Sequence, residues 1–169
     1  TLFFADAAGQ PDSIRVQMTL MQYLRQGDPN VWKQTIDHAH ATNPKCPTPI
    51  REMAYFFITM GQFDEAERYA RLGLEIRESD HPDIIDQRAE LHLLLARALE
   101  AQNRFPEAEQ SLREAVEIAE IDPKFPDPRK RTDLGAFFRR TGKPQDAKRE
   151  FRTVRRKTPK FLPAWDQSL

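Results

Sequence analysis

What most constrains this chain is that it says one thing twice. Residues 61–78 read GQFDEAERYARLGLEIRE, and residues 103–120 read NRFPEAEQSLREAVEIAE. Phe63 and Phe105, Glu65 and Glu107, Ala66 and Ala108, Glu67 and Glu109, Arg71 and Arg113, Glu75 and Glu117, Ile76 and Ile118, and Glu78 and Glu120 coincide at an offset of 42 residues. Unrelated stretches of this length share about one residue, so the chain carries an internal repeat. Within the copies, Phe63, Ala66, Ala70, Gly73 and Leu74, and likewise Phe105, Ala108, Leu112, Ala115 and Val116, fall at helical spacing. Each copy therefore has one apolar face and one charged face. A first helix precedes each copy, PIREMAYFFITM in one case and DIIDQRAELHLLLARALEAQ in the other. Gly61 and Asn103 stand at the breaks, and both tolerate the left-handed backbone that ends a helix.

A length of 169 residues is one domain's worth of chain. Basic and acidic residues balance at 26 each, so no global charge advertises a nucleic acid or a membrane surface. The charge is unevenly placed. Residues 129–160 hold thirteen basic and three acidic residues, a net of +10, whereas residues 1–128 are net −9. The single cysteine, Cys46, excludes an internal disulfide and does not fix the compartment, which stays open between cytoplasm and periplasm. The apolar runs AYFFITM and LHLLLARAL are far shorter than the roughly 20 residues that span a bilayer, so no membrane contact is expected of this segment itself. A start at Thr1 rather than methionine is the pattern of a processed or excised piece.

The last full copy carries a resemblance. Leu134, Gly135, Phe138, Gly142, Ala147, Phe151 and Pro159 follow the pattern of the tetratricopeptide repeat: leucine and a small residue, an aromatic, a small residue on the second helix, a large apolar residue a turn later and a closing proline. Arg131 stands where that pattern prefers tryptophan. Ala54, Phe57, Gly61 and Ala66 make another copy, and Ala96, Leu99, Asn103 and Ala108 a third. A weaker copy precedes them, with Leu20, Tyr23, Gly27, Ile36, Ala39 and Pro44 in register and Trp32 in the place of an alanine. Trp32, Ala66, Ala108 and Ala147 are spaced by 34, 42 and 39 residues. The longer periods require longer helices or a wider connection, and GLEIRESDHPDI resembles the variety found in kinesin light chains.

The resemblance implies an all-α fold, a right-handed superhelical solenoid of antiparallel helix pairs. The expected division is an N-terminal extension over 1–12, pairs over 13–46, 47–88, 89–127 and 128–161, and a capping or truncated helix over 162–169, where Trp165 reopens the pattern. One pair cannot bury its own apolar face, and stacked pairs can. Most of the thirteen prolines fall at helix starts or between copies.

The resemblance further implies a non-catalytic protein-interaction scaffold with a concave groove lined by the first helix of each pair. By the family's geometry that groove receives Gln17, Met21 and Arg25, then Arg51, Tyr55 and Thr59, then Arg97 and Glu100, then Arg129, Thr132, Ala136 and Arg139. Five arginines and a tyrosine suit an acidic peptide or protein segment, because guanidinium pairs bidentately with carboxylate.

Other chemistries are poorly served. The basic C-terminal stretch interleaves arginine with phenylalanine, but Phe138 and Phe151 belong to the repeat core, so nucleic acid is not the expected partner. Asp37, His38, His40 and Cys46 are near in sequence, yet His38 and His40 are two residues apart and diverge on a helix, which argues against a metal. No nucleophile motif and no glycine-rich phosphate loop is present, so neither an enzyme nor a cofactor is expected. Two further readings remain open at this point. The start at Thr1 and the apolar TLFF fit a soluble repeat tail of a larger bacterial membrane protein, such as a glycan polymerase or ligase, serving assembly. The acidic middle and basic end fit head-to-tail self-association.

Overall fold

The computed structural model describes residues 29–42, 44, 46–76, 84–121, 127–159 and 161. The extension over 1–12, most of the first copy and the expected cap over 162–169 lie outside these residues. The described residues form seven helices and no strand. They are α1 (Pro29–Thr42), α2 (Pro47–Thr59), α3 (Phe63–Glu75), α4 (Ile84–Ala101), α5 (Phe105–Ala119), α6 (Pro128–Arg140) and α7 (Pro144–Lys157). Each helix packs on the next, and α2 also packs on α4, which is the layering of an all-α helical repeat solenoid.

Proline opens most of these helices. Pro47, Pro106, Pro128 and Pro144 occupy the first or second helical position, where a missing N–H leaves no gap in the ladder. Asp127 caps α6, its side chain accepting the Arg129 backbone N–H at 2.9 Å. The two helices of each pair are joined by one turn used three times. Gly61, Asn103 and Gly142 have φ of 70°, 61° and 75°, and the amide after each reaches back five residues. Gln62 N donates to Phe57 O at 2.9 Å, Arg104 N to Leu99 O at 2.9 Å and Lys143 N to Phe138 O at 2.8 Å. That bond satisfies a carbonyl the ending helix leaves orphaned.

The 42-residue period is resolved by length. Helix α4 has 18 residues against 13 in α2 and 13 in α6, so part of the excess is helix. The stretch expected as a first helix from Asp83 is helical from Ile84, and the division between residues 88 and 89 falls within α4. Burial explains why α4 is so apolar. Ala89, Leu91 to Ala96, Ala98 and Leu99 are all buried, because α4 is flanked by α2, α3 and α5.

Two apolar clusters run through the stack. One joins Leu93, Leu94, Leu95, Ala96 and Leu99 of α4 to Leu112 and Val116 of α5, Leu134, Phe137 and Phe138 of α6 and Phe151 of α7. Small residues set the separation here: a Cβ on Gly135 would lie 2.3 Å from the Phe151 ring, so the ring lies directly on the α6 backbone. The other cluster gathers Trp32 and Ile36 of α1, Met53, Phe56 and Phe57 of α2 and Ala66 of α3. Trp32, in the place of an alanine, is buried edge-on against Phe56 with ring centres 5.1 Å apart.

Charges staple the layers. Glu67 of α3 accepts from Arg71 one turn on at 2.8 Å and from Arg104, in the next pair's turn, at 2.6 Å. Glu109 of α5 repeats this with Arg113 at 2.8 Å and with Lys143 of the following turn at 2.6 Å. The repeated Glu-x-x-x-Arg is thus a clasp between neighbouring pairs. Arg131, the departure from the repeat pattern, belongs to a second network. Its guanidinium grips both Glu120 oxygens, at 2.7 and 2.8 Å, and donates to Glu150 at 2.5 Å, while Lys157 reaches Glu120 at 2.7 Å. This bidentate pair holds the Glu120 carboxyl down at about 2, with Lys157 adding to the effect and burial opposing it.

Candidate interaction cleft

A cleft of about 100 Å³ opens between α4 and α6. Its walls are Leu93, Ala96, Arg97 and Glu100 of α4, Asp133 and Arg140 of α6, and Leu112 of α5 beneath. Residues 93, 96, 97 and 100 share one face of α4, and 133 and 140 are two turns apart on α6. Arg140 spans the opening and holds Glu100 bidentately, both bonds 2.8 Å, which fixes one end of the cleft. Arg97 is the exposed residue of an otherwise buried helical stretch.

Asp133 is the chemically unsettled group. It is half-buried, and among the described residues no group donates it a hydrogen bond. Burial pushes its carboxyl above the ordinary aspartate value, with Glu90 adding to the rise and Arg97, Lys130 and Arg140 pulling it back. A carboxylate in that position gains from any N–H donor or cation that enters the cleft.

The expected groove residues are distributed as follows. Gln17, Met21 and Arg25 lie outside the described residues. Arg51 is half-buried and donates to Glu52 at 2.6 Å. Tyr55 is half-buried with its ring 6.3 Å from that of Trp32. Thr59 donates to the Phe56 carbonyl at 2.7 Å. Arg97 and Glu100 line the cleft. Arg129 is exposed and chelates Asp127, and Arg139 is exposed near the end of α6. Thr132 has a buried hydroxyl with no hydrogen-bond partner among the described residues, and Ala136 is half-buried. On α6 the cleft residues are Asp133 and Arg140, each one position past Thr132 and Arg139. That Arg97 and Asp133 line one cleft was missed in the sequence because the two are far apart along it.

With this geometry in view, the comparisons are specific. The tetratricopeptide repeat family model matches residues 48–121, from the first turn of α2 to just past α5. Residues 48–121 thus match the tetratricopeptide repeat. Solved tetratricopeptide structures share the fold over nearly the whole chain. MamA superposes with a TM-score of 0.67 at 12% identity, covering 94% of this chain and 85% of that one. YrrB, described as a tetratricopeptide protein with an unusual peptide-binding site, gives 0.64 at 16% identity over 94% and 76%. A putative kinesin light chain with tetratricopeptide-like repeats from Podosopora anserina gives 0.68 at 22% identity over 91% and 79%. At these identities the likeness is one of fold. No curated protein matches the chain. Tetratricopeptide repeats are in general non-catalytic scaffolds for protein partners, and no helix among the described residues is long and apolar enough to cross a membrane.

Proposed function

We propose that the chain is a non-catalytic scaffold that holds an acidic segment of a partner protein along the first helices of its repeats. The reading rests above all on the α4–α6 cleft, where an exposed Arg97 stands beside an undersatisfied Asp133. A carboxylate of the segment meets Arg97, and a backbone N–H of the same segment meets Asp133. An extended peptide offers both kinds of group in every few residues, so one bound strand satisfies both. Arg51, Tyr55 and Arg129 extend the proposed surface beyond the cleft, but Glu52 and Asp127 compete for the two arginines, so they contribute less than Arg97. The peptide-binding description of YrrB, on the same fold, supports this class of ligand.

The test is affinity capture with the wild-type chain beside the Arg51→Glu, Arg97→Glu variant, eluates identified by mass spectrometry. A protein retained by the first and lost by the second supports the groove. Equal retention by both refutes it.

A further inference from the structure

The clasp between layers has a polarity, and the last helix inverts it. Counting from the buried alanine of each second helix, Ala66, Ala108 and Ala147, the positions one, five and nine residues on are Glu67, Arg71 and Glu75 in α3, and Glu109, Arg113 and Glu117 in α5. In α7 they are Lys148, Arg152 and Arg156. The first of these positions faces the next layer, since Glu67 binds Arg104 and Glu109 binds Lys143. Arg104 and Lys143 are themselves equivalent, each four residues before the buried alanine of its helix. Where α3 and α5 offer a carboxylate to a basic turn, α7 offers an ammonium and two guanidinium groups.

These three cations are exposed, and among the described residues none makes an ion pair or hydrogen bond. Their neighbours differ: Arg149 is held by Asp146 at 2.9 Å and Lys157 by Glu120 at 2.7 Å. A four-residue step along a helix rises about 6 Å, so the free cations make a straight row about 12 Å long.

We infer that this row on α7 is a second docking surface, for the edge of another protein that carries carboxylates four residues apart on one helical face. Charge complementarity selects that occupant. In register, a second copy of this chain stacked by the same clasp offers Lys148 a single carboxylate, Asp28 four residues before Trp32, and Val31 at the position that Glu107 holds near Arg71, so it matches one cation of the row and not three. The surface is separate from the α4–α6 cleft, and its contribution is steering and choice of partner, as for other rim charges.

The test uses three fluorescent helical peptides of one composition class: glutamates at three positions spaced by four, the same glutamates scattered around the helix, and lysines in place of the aligned glutamates. Anisotropy titrations are run with the wild type, with Lys148→Glu, Arg152→Glu, Arg156→Glu, and with Arg51→Glu, Arg97→Glu, all three confirmed helical by circular dichroism. The aligned glutamate peptide should bind the wild type at least fivefold more tightly than the scattered one. It should lose at least tenfold to the α7 variant, which should prefer the lysine peptide, and should lose nothing to the groove variant. Indifference to the α7 substitutions, or to the alignment of the glutamates, would overturn the inference. So would tighter α7-dependent binding of duplex DNA or of anionic vesicles, or self-association in sedimentation that the α7 variant abolishes while peptide binding is absent.

Discussion

Replacing Gly135 by alanine tests whether the close approach of α6 and α7 is what holds the last pair together. The new Cβ would lie 2.3, 2.7 and 2.8 Å from three atoms of the Phe151 ring. Phe151 is 3% exposed and shares its cluster with Leu134, Phe138 and Ala147, so the ring has no vacant direction in which to retreat. Overpacking a filled core costs about 1–3 kcal/mol, and a contact this short belongs at the upper end. Against it stands the helix preference of alanine over glycine, worth about 1 kcal/mol in a helix interior. The net expectation is a loss of about 2 kcal/mol, which for a chain of this size lowers Tm by about 4–8 °C. Thermal melts by circular dichroism, with urea denaturation alongside, give both numbers. The Phe151→Leu background supplies the internal check, since a smaller side chain over the same backbone should absorb most of the added methyl. A double-mutant cycle should return a coupling of at least about 1 kcal/mol. An unchanged or higher Tm for Gly135→Ala would refute the argument, because helix propensity alone would then account for the site.

The other predictions concern the Arg131 network. Arg131→Trp restores the residue the repeat pattern prefers, yet it leaves Glu150, whose side chain is 5% exposed, with only the exposed Arg149 at 3.5 Å, and should cost about 3 kcal/mol by urea denaturation. Part of that loss should return in Arg131→Trp with Glu150→Leu; a stabilised single variant would contradict the role given to the network. Glu120 sets a pH dependence: its carboxyl is lowered from 4.5 to about 2 in the folded chain, so its stabilisation is complete above about 4.5 and lost as the pH falls through about 2. In Glu120→Gln the acid limb of the stability profile over that window should flatten, and an unaltered limb would assign it to other carboxylates.

How far the sequence reveals this molecule follows the range of the forces involved. Helix faces and turns are local, so the apolar spacing around Ala66 and Ala108 and the breaks at Gly61 and Asn103 are legible in a short window. Rotation of a helix about its axis is not local. A shift of one residue turns the face by about 100°, and whether Thr132 or Asp133 meets the cleft is decided by how α6 seats on α4 and α5. The Arg131 site shows the same limit from another side. Its two carboxylates come from residues 11 and 19 positions away, on different helices, so the sequence shows only the absence of a tryptophan. Trp32 is the converse case, an irregular residue that the cluster of α1, α2 and α3 simply accommodates against Phe56.

The burial of α4 has a consequence for how such an array comes apart. In a stack whose layers touch only their neighbours, cohesion is greatest where a layer is covered on both sides and least at the two exposed faces. Among the described residues, the apolar stretch of helix α4 from Leu91 to Leu99 is buried except at Arg97, whereas α7 has a face bordered by water and strewn with like charges. Among the described helices, thermal agitation therefore loosens α7 before α4. A partner seated on the charged face of α7 would lend that helix a neighbour, and the difference in cohesion between α4 and α7 would become smaller.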